Sequence, residues 1–180
     1  MAILNFLGFV DLQSTVWNLA AYLGMVIILF GVKFEKHRPH LIGAGGIILA
    51  VYAFFFLHDY ILTSLQCLIA VSSALEIIQV NKKISAMIIS VVSVILLIIL
   101  VGGGFVEDAA RWLGIGGVLG IAFGLVFAPN KSGFVSMGLG GALLVIYAPI
   151  VGARVFFILN LIFAYLNFQT VIAMSKKQPQ

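Results

Sequence analysis

Apolar residues run along this chain in stretches of about 20, the length a helix needs to cross a hydrocarbon core. No sustained alternation of apolar and polar positions interrupts them. Short polar clusters mark the breaks: KFEKHRPH at 33–40, His58-Asp59, Asn81-Lys82-Lys83, Gly102-Gly103-Gly104 followed by FVEDAAR, PNKSG at 129–133, and the tail SKKQPQ. Between them the pattern predicts seven spans, at 15–32, 41–57, 60–80, 84–101, 112–128, 134–151 and 155–174. A bilayer admits only helices or a closed barrel, because every backbone polar group must be paired internally. Unbroken runs select helices, so an all-α integral membrane protein with seven transmembrane helices is expected. Residues 1–14 are apolar but short and carry Asp11, with no Lys or Arg ahead of them. They are expected to lie at the membrane surface rather than act as a cleaved signal.

The seven spans are not independent. GAGGIILAVYA at Gly43–Ala53 returns as GLGGALLVIYA at Gly138–Ala148, displaced by 95 positions. The same ungapped shift pairs Trp17 with Trp112, Lys36 with Lys131, Ile77 with Ile172 and Lys82 with Lys177. This predicts two three-helix repeats, over 15–83 and 110–175, with a linker helix and loop at 84–109 and a short tail at 176–180. A triple of helices repeats in the same orientation only if an odd helix turns the chain around, and 84–101 is that inversion helix. The repeats are then parallel, related by an axis along the membrane normal.

Charge orients the weave. Lys33, Lys36, Arg38, Lys82, Lys83, Lys131, Lys176 and Lys177 fall on one side, and only Arg111 and Arg154 on the other. The excess of basic residues marks the cytoplasmic side, which places the N-terminus outside and the C-terminus inside a cell (inner) membrane. Composition agrees: 63% of residues are hydrophobic and 9% charged, leaving no room for a soluble catalytic domain. The net charge of +4 follows from topology, so no nucleic-acid partner is expected. The single cysteine, Cys67, excludes an intramolecular disulfide and any multi-cysteine metal site. His37 and His40 flank Arg38 in a basic loop expected to touch anionic lipid, with no acid or cysteine to complete a metal site. Neither a Ser-His-Asp set, nor His-Glu-x-x-His, nor a phosphate-cradling Gly-Lys-Ser/Thr loop occurs. No enzyme, no cofactor and no ATP coupling within this chain is expected.

Three helices, an inverting helix and three more, with the N-terminus out, resemble the plan of the SWEET and PQ-loop transporter superfamily. Pnu-type vitamin transporters share a related plan. The segment APNKSGFVSMGLGGALLVIYA, 128–148, is the most similar piece, with its proline, Lys-Ser pair, glycine-rich helix and tyrosine. The family's Pro-Gln pair is absent from this segment, since Asn130 follows Pro129. Leu49 and Leu144 stand where sugar carriers tend to have an aromatic residue, three positions before Tyr52 and Tyr147. The resemblance implies a small-solute transporter, facilitative or proton-coupled, that alternates access between two bundles, its solute a sugar or another small polar molecule. The expected partners are that solute and the lipid bilayer, with a homo-oligomer left open.

Polar side chains inside spans need a partner or a cavity. Asn160 and Asn167 lie seven apart on one face of the last span, and Asn167 aligns with Ser72 of the third. The resemblance implies that Asn167 hydrogen-bonds the substrate and that Ser72 is a weakened copy. Gln66 and Ser73 form the alternative inward face, one position off in register, and the two alternatives stay open. Tyr52 and Tyr147 are further candidates to line the path. Glu76, the only carboxylate inside a predicted span, is the proton-coupling candidate. Pro149 and Gly120 are the hinge candidates, the latter in a Gly116, Gly120, Gly124 stripe that lets a neighbouring backbone approach. The competing expectation is a non-transporting scaffold or accessory subunit whose polar residues only join helices.

Overall fold

The computed structural model describes residues 7–34 and 37–176, without the side chains of Val32 and Lys33. Seven helices form there: α1 Leu12–Lys33, α2 Arg38–Tyr52, α3 Tyr60–Ile77, α4 Lys82–Gly102, α5 Ala109–Phe127, α6 Lys131–Ile150 and α7 Arg154–Lys176. A π-helical turn, Ala53–Leu57, extends α2. All seven are long and apolar enough to cross a membrane, and no strand occurs among the described residues. The chain therefore fits an integral membrane protein of all-helical class. Residues 1–6 of the expected surface segment lie outside the described residues; Leu7–Asp11 forms turns and bends, and Leu12 already belongs to α1.

Polar residues stop and start these helices as capping chemistry predicts. Asp11, Asp59 and Asp108 accept backbone N–H groups at the starts of α1, α3 and α5. The end of α6 is a glycine cap: Gly152, at φ 72°, lets its own N–H reach Pro149 O at 3.1 Å and that of Ala153 reach Ala148 O at 2.8 Å. Six helices close a ring in the order α1, α2, α3, α5, α6, α7, and α7 returns to α1. Helix α4 stands outside the ring against α3 and α5. Its outer face, with Ile84, Met87, Val91, Val94, Ile98 and others, is exposed and apolar, as lipid contact requires.

Glycines set how closely the ring packs. A Cβ on Gly140 would lie 2.7 Å from Gly117 O, and one on Gly120 would lie 2.8 Å from Gly140 Cα, so α5 and α6 meet backbone to backbone. Gly45 meets Gly24 O of α1 in the same way. Two contacts of α2 with α3 return in α6 with α7 at the 95-residue displacement. Gly43 faces Ser73 as Gly138 faces Phe168, and Gly46 faces Ile69 as Gly141 faces Ala164.

Candidate functional site

Successive helices divide the connections between two ends. Asp59, Glu107 and Asp108 gather at the acidic end, while Arg38, Lys82, Lys83, Lys131 and Lys176 lie at the basic end. From the basic end a cavity of about 110 Å³ rises between the two halves of the ring. Ile28, Ile42, Leu65, Gln66 and Ile69 line it from α1–α3; Ile121, Leu125, Met137, Leu159, Asn160 and Phe163 line it from α5–α7, with Arg38 at its rim.

Gln66 is the anomaly in that wall. It is 0% exposed, and neither its Nε2 nor its Oε1 has a hydrogen-bond partner among the described residues. Leaving a buried amide unpaired costs about 1–3 kcal/mol, so such groups are rare in folded proteins. Gly46 of α2 stands beside this amide, where a Cβ would make ordinary van der Waals contact with Oε1 at 3.6 Å. Asn160, on the opposite wall, is buried and donates Nδ2–H to Phe156 O at 2.8 Å.

The acidic end is closed by side chains. Tyr147, 0% exposed, donates its hydroxyl proton to Asp59 Oδ2 at 2.6 Å, joining α6 to the start of α3. Asp59 Oδ1 meanwhile caps α3 through Leu62 N at 2.8 Å, which holds the carboxylate in place. Tyr52 donates to Asn18 Oδ1 at 2.8 Å, and Asn18 Nδ2 in turn donates to Gly8 O and Ser14 O. The Tyr52 ring stacks on Phe156 of α7 at 6.3 Å and on Phe56 at 5.3 Å, while Trp17 covers Phe56 at 6.0 Å. Above this layer a second pocket of about 150 Å³ opens at the acidic end between His58, Asp59, Tyr60, Phe105, Glu107, Arg111 and Tyr147. Arg111 there is paired with Glu107 at 2.7 Å.

Of the residues singled out from the sequence, Gln66 and Asn160 share the cavity, one from each alternative face. Ser73 is buried at the contact with Gly43, and Ser72 is half-buried; neither lines the cavity. Asn167 is buried too, and donates Nδ2–H to Phe163 O of its own helix at 2.7 Å. Tyr52 and Tyr147 belong to the closed acidic end rather than to the cavity wall. Glu76 is exposed in the last turn of α3. Pro149 is exposed in the last turn of α6, and Gly120 is half-buried in the close contact with Gly140. Cys67 is exposed on the outer face, not packed within the chain.

Three residues of this arrangement escaped the sequence reading. Arg38 was expected at the lipid surface but lines the cavity. Asn18 carried a usable signal, being an amide inside a predicted span. Asp59 reads from the sequence only as part of the His58-Asp59 break; its repeat partner by the 95-residue shift is Arg154, so opposite charges occupy equivalent positions. Comparison with protein-family models, curated proteins and solved structures yields no match.

Proposed function

We propose that this chain is a small-solute transporter in which two parallel three-helix units rock about the cavity between them. The units are 15–83 and 110–175, with α4 as the inverting link. The observation that carries the reading is the cavity itself, walled by both units and holding an unpaired buried amide. Stable folds pair or exclude such a group, and one that stays unpaired beside a cavity is the form a binding site takes before its ligand arrives. The ring order and the α2–α3 and α6–α7 contacts that recur at one displacement support the two-unit plan. Alternating access, drawn from the resemblance to SWEET and PQ-loop transporters, then has a physical counterpart. The acidic end is held by the Tyr147–Asp59 bond and the Tyr52–Phe156 stack, while the cavity reaches the rim at Arg38. Rocking would break the first set and close the second.

The excess of basic residues at the cavity end supports a cytoplasmic assignment for that end. Membrane-impermeant maleimide should then label Asp108→Cys but not Lys131→Cys in intact cells, in a Cys67→Ser background.

A scaffold or accessory subunit is the second reading. It is favoured by Asn160 and Asn167, whose amides bond carbonyls of their own helix, and by the apolar character of most of the cavity wall. Counterflow uptake in proteoliposomes, with labelled sugars, amino acids and vitamin precursors, separates the two. Saturable uptake that Gln66→Met removes from a folded protein supports transport through this cavity. Uptake that survives the substitution moves the path elsewhere, and failure across the panel favours the scaffold.

A further inference from the structure

The cavity wall carries two polar signals of different kind, and their separation defines a ligand. Deep beside the cavity is the Gln66 amide, which offers one donor edge and one acceptor edge, uses neither among the described residues, and is shut off from water, so a ligand reaches it only after the side chain turns into the cavity. At the rim is Arg38, a permanent cation. Arg111 pairs with Glu107 at the other end of the protein, and Arg38 has no carboxylate partner among the described residues. Helix α2 also begins at this rim, and its N-cap, His37, supplies no side-chain hydrogen bond to the first-turn N–H groups. Pro39 removes one of those N–H groups, and the positive end of the helix together with the guanidinium favours an anion. Between rim and amide the remaining wall is aliphatic, apart from Asn160 and the ring of Phe163.

The spacing follows from the helix. Gly46 is the α2 residue level with the Gln66 amide, and it lies eight residues beyond Arg38, about 12 Å along the axis at 1.5 Å per residue. The flexible stem of Arg38 covers part of that length. A short apolar segment spans the rest. One cation at the rim matches one negative charge, and a dianion would enter an apolar cavity at a much larger desolvation cost.

We propose that the cavity binds a small amphipathic monocarboxylate, its carboxylate on Arg38, its carbon chain against the aliphatic wall and a carbonyl or amide group on Gln66. The proposal rests on the cavity being a ligand site. It names the ligand's class and does not require that the ligand be carried across.

Three probes of nearly equal size test it: 5-oxohexanoate, which has both groups; hexanoate, which lacks the ketone; and 5-oxohexanamide, which lacks the charge. Dissociation constants are measured on the full chain in nanodiscs of zwitterionic lipid, with empty nanodiscs subtracted. The native protein should bind 5-oxohexanoate about tenfold more tightly than either partial probe, the value of one net hydrogen bond or screened charge contact. Gln66→Met should abolish the preference over hexanoate and keep the preference over the amide. Arg38→Gln should do the reverse. A merely structural role for either residue would weaken all three probes together. Equal affinity of the native protein for the three, or no saturable binding of any, overturns the proposal. Selective binding without uptake would leave it standing and remove only the transport reading.

Discussion

Replacing Gln66 by methionine should make this protein more stable and less useful. The side chain is fully buried, and both polar atoms of its amide lack partners among the described residues. Methionine has a similar length and flexibility and brings no group that demands a hydrogen bond. The gain is the penalty now borne by the amide, about 1–3 kcal/mol. For a chain of this size each kcal/mol moves the midpoint by roughly 2–4 °C, so Tm should rise by about 2 °C at least and by on the order of 10 °C at most. The assay is thermal unfolding of native and variant protein in the same nanodiscs, without added ligand. Stabilising substitutions that cost activity are the pattern expected where a site is kept unsatisfied for its ligand. A Tm that is unchanged or lower would refute the reasoning. It would mean that the amide is satisfied in the folded state, and the main reason for placing the site here would go with it.

Other consequences concern the closed end and the helix contacts. Tyr147→Phe removes the proton donated to Asp59 while keeping the ring. Hydrogen bonds to charged groups contribute about 1.5–3 kcal/mol, so unfolding should be easier by that order; in a cycle with Asp59→Asn, additive losses would contradict a direct coupling. Gly120→Ala places a methyl 2.8 Å from Gly140 Cα, where backbone must move. It should destabilise by about 1–3 kcal/mol, whereas Gly102→Ala, with nothing within 4 Å, should be tolerated; equal effects in thermal unfolding would argue against the α5–α6 contact. Asp11 has its carboxyl held below the ordinary value of 3.8, chiefly by the Ser14 backbone N–H, with the Ser14 side chain adding to it. A depressed folded-state pKa gives a stabilisation that is complete above the unfolded value and is lost as pH falls through the folded one. The start of α1 should therefore fray below pH 3.8, read as faster hydrogen exchange at Ser14, and Asp11→Asn should make that exchange insensitive to carboxylate protonation.

Much of the fold was legible because hydropathy acts one residue at a time. A run of about 20 apolar residues closed by Asn81-Lys82-Lys83 or His58-Asp59 has few alternatives in a bilayer, where backbone pairing excludes open loops. The predicted spans differ from the observed helices by only a few residues, as with 41–57 against Arg38–Tyr52 and its π-helical extension. Capping accounts for much of the rest: Asp108 carries the start of α5 to Ala109, three residues before the predicted 112.

Inward-facing surface was legible only in part. Neighbouring residues on a helix differ by about 100° in direction, and a span apolar on nearly every side gives little to choose between Ser72 and Ser73 or between Gln66 and its neighbours. Hydropathy along the chain specified the number of membrane-length helices, the class of the fold and the set of polar groups that had to find a place. Tertiary packing decided which of them meet. It brought Asp59 to Tyr147 across 88 positions, turned Asn167 toward a carbonyl of its own helix, and left Gln66 beside a cavity without a partner among the described residues. Those outcomes depend on how closely the helices approach one another, as where Gly120 lets α6 approach α5. Such distances are set by several helices at once, and no single stretch of the chain encodes them.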